Sequence, residues 1–194
     1  VFHQLVRGAS IIAYAGEELI TGRMAPLARG QLQLSSTGGV ERYSTPIDSN
    51  SVGEYTVRAT GPGGEPLALR TGDVVKVELS DQSTEMRVAR LDYDFAIDHG
   101  ILGIAPSSET VNLTLAFHDG RSLRTQVTAD EAGRFVFGPD ERLVRETWDF
   151  SDIVAIRAEV SDQNGHLTVR RTSISVPGGS ELSTLFVPFV VSRY

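Results

Sequence analysis

Two short stretches decide how this chain is read: Ser51-Val52-Gly53-Glu54-Tyr55-Thr56-Val57 and Glu131-Ala132-Gly133-Arg134-Phe135-Val136-Phe137. Each has a small or acidic lead, then a glycine, then an alternating run whose second residue is aromatic. They stand about 80 residues apart, a period at which internal self-similarity signals tandem units. The likeness extends outward from both. Ile20-Thr21-Gly22-Arg23-Met24-Ala25-Pro26 answers Ile101-Leu102-Gly103-Ile104-Ala105-Pro106, and Gln31-Leu32-Gln33-Leu34 answers Val111-Asn112-Leu113-Thr114-Leu115. Further on, the run from Gly72 to Asp81 answers that from Ser151 to Asp162, and Met86-Arg87-Val88-Ala89-Arg90 answers Leu167-Thr168-Val169-Arg170-Arg171. The chain therefore divides into an extended N-terminal segment (residues 1–9), a first unit (10–90), a second unit (91–176), and a hinge with a C-terminal apolar strand (177–194). Almost no linker separates the units, which predicts a contact between them and a stiff pair.

Within each unit the periodicity is that of strands. Residues 31–34, 54–57, 75–79, 112–117, 134–137 and 156–160 alternate polar and apolar, which places one face on a core and the other in water. Residues 10–15 and 92–97 read as leading strands of the two units. Turns are marked by Ser36-Thr37-Gly38-Gly39, Gly61-Pro62-Gly63-Gly64, His118-Asp119-Gly120 and Gln163-Asn164-Gly165, where glycine accepts the positive φ of a tight hairpin. Only residues 140–148 suggest a helical turn. Short strands with frequent turns predict an all-β chain of two tandem antiparallel β-sandwiches with extra terminal strands.

The shared motifs carry a resemblance. Gly-x-Ala-Pro (loosened in the first unit to Gly22-Arg23-Met24-Ala25-Pro26), an alternating strand, Gly-x-aromatic and a Gly/Ser-Asp-x-Val strand resemble the bacterial Ig-like and carboxypeptidase-regulatory-like sandwich repeats of cell-surface proteins. The first unit departs from the pattern by an insert at residues 38–47. The resemblance implies stalks, spacers or adhesive modules, with no catalytic residues to carry over. The run Leu185-Phe186-Val187-Pro188-Phe189-Val190-Val191-Ser192-Arg193 resembles the Arg-ended apolar tails of some secreted bacterial proteins.

Composition narrows the partners. A net charge of -7 opposes nucleic-acid binding, which needs a basic face, and docking on an anionic membrane surface. No apolar run reaches the ~18 residues of a membrane helix. The chain has no cysteine, so it has neither disulfide nor thiolate metal site. It starts at Val1 rather than Met, which reads as a mature chain after leader removal and fits an extracellular or cell-surface location.

The search for chemistry yields little. The hydrolase serine elbow and the phosphate-loop lysine are missing. His3, His99, His118 and His166 are scattered, with no metal-binding spacing. His118 and His166 flank turns and read as exposed. Asp92, Asp94 and Asp98 stand at the junction of the units and are the one candidate for Ca²⁺, although Asp92 and Asp94 also read as one solvated strand face. Trp148 reads as a core residue. No catalytic or cofactor-binding residue is expected, and the chain reads as a non-enzyme.

The two ends are the remaining signal. Val1, Phe2, Leu5 and Val6 are apolar, as are Leu182, Leu185, Phe186, Val187, Phe189, Val190 and Val191 around Pro188. Burying one such side chain is worth roughly 1.5–3 kcal/mol, and an open sandwich edge accepts an added strand. These residues predict a subunit interface between copies of the chain, joined head-to-tail by strand addition into an extracellular filament. The alternative is a surface adhesin or carbohydrate-binding module, or the accessory part of a secreted enzyme.

Overall fold

Alternation does in space what it suggests in sequence. Tyr55 and Val57 are buried while Glu54, Thr56 and Arg58 are exposed. Phe135 and Phe137 are buried while Arg134 and Val136 are exposed. The computed structural model describes residues 9–138 and 149–174. The predicted helical turn at 140–148, Trp148, and all of the apolar end residues named above therefore lie outside the described residues.

Among the described residues the first unit contributes β1 (Ser10–Tyr14), β2 (Leu19–Arg23), β3 (Arg29–Ser35), β4 (Glu41–Asp48), β5 (Glu54–Arg58), β6 (Val74–Glu78) and β7 (Ser83–Arg87). The second contributes β8 (Asp92–Ala96), β9 (Gly100–Ile104), β10 (Thr110–Phe117), β11 (Ser122–Thr128), β12 (Arg134–Phe137), β13 (Ile153–Ser161) and β14 (Leu167–Ser173). The pairing repeats. A four-stranded set β4-β3-β6-β7 has its counterpart in β11-β10-β13-β14, and a three-stranded set β1-β2-β5 in β8-β9-β12. Each four-stranded set shares an apolar cluster with its own three-stranded set. Ile11, Ile20, Leu32, Leu34, Val75 and Val77 lie in one cluster. Ile101, Leu113, Leu115, Phe135, Ile153 and Ile156 lie in the other.

Three expectations are corrected. The pairing is not all antiparallel: β1 and β14 run parallel, with Ile12 opposite Leu167, Ala13 opposite Thr168 and Tyr14 opposite Val169. That ladder joins the second unit's four-stranded set to the first unit's three-stranded set in one seven-stranded sheet. The insert at 38–47 is largely β4, an edge strand matched by β11 in the second unit. Its polar side chains bury only Ile47, and Pro46 fits there because an edge strand needs no inward N–H at every position. Finally, the match of Met86 to Leu167 is out of register. Met86 pairs with Val75 on the core face, whereas Leu167 and Val169 pair with Ser161 and Glu159, away from their own core. An odd slip in a strand exchanges its faces.

The repeated glycine of the Gly-x-Ala-Pro motif has a packing cause. A Cβ on Gly103 would lie 2.2 Å from the Phe135 ring and 2.7 Å from Asp92 O. One on Gly22 would lie 2.0 Å from Ser10 O and 2.4 Å from the Tyr55 hydroxyl. In both units, then, the tip of the aromatic ring of the Gly-x-aromatic strand lies over a bare neighbour. Gly103→Ala should destabilise the fold by about 1–3 kcal/mol, the usual cost of overpacking. Gly38→Ala, where the nearest atom is 3.9 Å away, should change little. Urea unfolding midpoints of the two variants check this.

Candidate functional site

The densest side-chain chemistry among the described residues lies where the units meet. On β14 and just before it, His166, Thr168 and Arg170 alternate and so share one face, the face turned toward the second core. That position would ordinarily be apolar. Here the row is polar because it faces a seam against the first unit. His166 is buried. Its Nδ1 accepts from Ile11 N at 3.2 Å, so its proton sits on Nε2, which donates to Thr84 Oγ1 at 2.9 Å. Thr168 Oγ1 accepts from Ala89 N at 2.9 Å. Arg170 Nη1 donates to Ala15 O at 3.0 Å, and its Nε makes no hydrogen bond but lies 3.4 Å from Asp92 Oδ1. Gly16 has a φ of +81°, and a Cβ there would meet Arg170 Nη1 at 2.0 Å, so the glycine makes room for the guanidinium. Nearby, the hydroxyl of the half-buried Tyr93 donates to Ile156 O at 2.8 Å, and desolvation pushes its phenol up to about 12.

The opposite face of the same ladder is apolar and then cationic. Tyr14, Leu19 and Val169 are buried together, with Ile12 and Leu167 packed against them. The Arg171 guanidinium lies 4.8 Å from the Tyr14 ring centre and forks onto Glu17, at 2.7 Å to Oε1 and 2.5 Å to Oε2. The two sides of the parallel ladder are thus held by an ion pair, a cation–π contact and buried apolar surface at once.

Beyond the seam the sheet presents a polar face. Arg124, Thr114, Arg157 and Arg171 stand in register across four strands. The next row runs Gln126, Asn112, Glu159, Val169 and Tyr14. Arg157 pairs with Glu159, and Gln126 Nε2 donates to Asn112 Oδ1 at 2.8 Å. An open groove of about 430 Å³ runs over Asn112, Thr114, Arg124, Gln126, Arg157 and Glu159. It is a shallow, open stretch of sheet surface rather than an enclosed pocket, and its amides and charges suit hydroxyl-bearing ligands.

Of the residues singled out from sequence, Asp92 and Asp94 lie exposed on one face of the edge strand β8. Asp98 sits beyond that strand, 3.4 Å from His99 Nε2. They are not brought together as a metal site, and no group of three or more His, Asp or Glu among the described residues could hold an ion. His118 is exposed, as expected. His166 is not. The turn closes at Gly165, whose N donates to Asp162 O, and His166 already enters the seam. The polar row at 166, 168 and 170 was missed because polar residues at period two read as a solvent face, and only the parallel pairing shows what covers them.

No family model and no curated protein matches the chain. Among solved structures it is similar to a tetra-tandem repeat from the extending region of a large adhesion protein, at 13% identity and a TM-score of 0.31, over 86% of this chain and 49% of that one. It is similar to native E. coli alpha-2-macroglobulin at 12% identity and a TM-score of 0.31, over 86% and 14%. It is also similar to a 1.5-MDa bacterial ice-binding adhesin at 17% identity and a TM-score of 0.28, over 86% and 64%. The chain spans less than two thirds of the length of each. At these scores the likenesses carry no argument about function.

The seam makes a testable demand. Thr168→Val keeps the side-chain shape but leaves the half-buried Ala89 N–H without its acceptor, a loss of about 1–3 kcal/mol. The exposed Ser173→Ala on the same strand should stay within about 0.5 kcal/mol of the parent. Denaturant unfolding of the two variants, read against the parent, checks the difference.

Proposed function

We propose that this chain is a non-catalytic structural module of a bacterial cell-surface protein, a two-unit spacer dividing near residues 90 and 91 that holds neighbouring parts of that protein at a fixed spacing. The observation that supports it most is the shared seven-stranded sheet. Tandem domains ordinarily move relative to one another across small, polar contacts. Here the connection itself is fastened: Val88 N donates to Asp73 O, Ala89 N to Thr168 Oγ1, and Leu91 is buried in the second core. A spacer needs a joint that does not bend, whereas an enzyme that closes on substrate needs one that does. The repeat motifs, with their resemblance to surface-protein sandwiches, point the same way. An extracellular location is part of the proposal.

A second reading, glycan binding, is favoured by the groove over Arg124, Gln126 and Asn112. Assembly of copies into a filament is a third form of the same structural role, motivated by the apolar run at residues 185–191. One set of measurements separates the three. Immunogold labelling of intact native cells should place the protein on the outer surface, and label appearing only after lysis contradicts the surface role. Electron microscopy of purified chain, with and without residues 181–194, reports on filaments. A glycan array probed with the parent and with Arg124→Ala reports on the groove. Binding lost in the variant supports the second reading, and no binding leaves the spacer alone.

A further inference from the structure

We infer that the parallel β1–β14 ladder is a mechanical clamp: tension applied at the start of β1 and the end of β14 is carried directly from one strand to the other and bypasses the chain between them. The argument is topological. β1 and β14 are the first and last strands among the described residues, and they are adjacent and parallel. Load entering at the start of β1 and leaving at the end of β14 reaches the ladder at opposite ends of the pair. The strands are therefore pulled past each other along their length, and every contact between them is strained together. Had the pair been antiparallel, the same load would have entered and left at one end and opened the contacts one after another.

What resists sliding is on both faces of the ladder. In the ladder line, Ala15 N donates to Val169 O at 2.8 Å. On the seam face, Ile11 N is tied to His166 and Arg170 to Ala15 O. On the other face, Glu17 holds Arg171 by a two-point fork, a geometry that couples strength to direction. Sliding by one residue would also bring the buried Val169 out from between Tyr14 and Leu19 and exchange the strand's two faces. The chain between β1 and β14 carries no load until the clamp fails. Neither unit alone contains this ladder, because β1 belongs to the first and β14 to the second.

The resistance is a property of the fold. Its use in service rests on the proposed spacer role, and the two fail separately. Immunolabelling tests the role, and single-molecule force spectroscopy tests the clamp. The full chain is free of cysteine, so one introduced cysteine defines each handle. With a handle at the N-terminus, Ser173→Cys loads the ladder in shear, and Asn164→Cys, on the turn before β14, peels it from one end. Both positions are exposed. In shear, the clamp should break at a force several-fold above that of the peel geometry, before either unit opens, and then release roughly 50 nm of chain at about 3.3–3.6 Å per residue. Equal forces in the two geometries, or a release split into two steps of about half that length each, overturns the inference.

Discussion

Everything in this fold is conditioned by one contact, the parallel pairing of its first and last described strands. Ile11 and His166, joined by a hydrogen bond, lie 155 residues apart. The entropy of closing so long a loop grows only slowly with length, so the ladder is thermodynamically affordable once the strands on either side of it are paired and hold its edges in place. It is also a contact of the highest sequence separation, and such contacts slow folding. The order implied is local hairpins first, then the sheets around each apolar cluster, then the ladder that joins them.

The ladder explains why the seam is polar. A sheet edge leaves backbone groups unpaired, and burying them without partners is costly. β14 pairs with β1 on one layer, but no ladder joins β7 to β8 in the layer beneath. Side chains make good the difference: Thr168 satisfies an amide of the connecting segment, and Thr84 meets the His166 ring. An apolar row there would have sealed the gap against water and left those amides without acceptors. Polarity in this place is therefore structural, and needs no ligand to account for it.

Much of the architecture is legible in the sequence because it is periodic. Tyr55 with Gly53, and Phe135 with Gly133, mark the same strand in two copies, and their alternation states which side faces a core. The strands at 54–57 and 134–137 fall where the pattern places them. What is not legible is whatever depends on one unit seeing the other. His166 after Asn164-Gly165 carries a turn signature, and its burial comes from Ile11 and Thr84, far away in the chain. The last-strand match fails for the same reason: Leu167 and Val169 look like core residues of their own unit but pack against Tyr14 and Leu19 of the first. β4 was hidden by its edge position, where one buried residue suffices. The acidic trio Asp92, Asp94 and Asp98 shows the converse, since closeness in sequence did not make a site in space.

If the ladder and its seam join the two units into one body, they must melt as one. Differential scanning calorimetry of the full chain measures this most directly, because the ratio of calorimetric to van't Hoff enthalpy counts cooperative units. A single transition with a ratio near one is the predicted result. Two resolved transitions, or one with a ratio near two, would mean that each unit unfolds on its own and that the shared sheet joins them in name only.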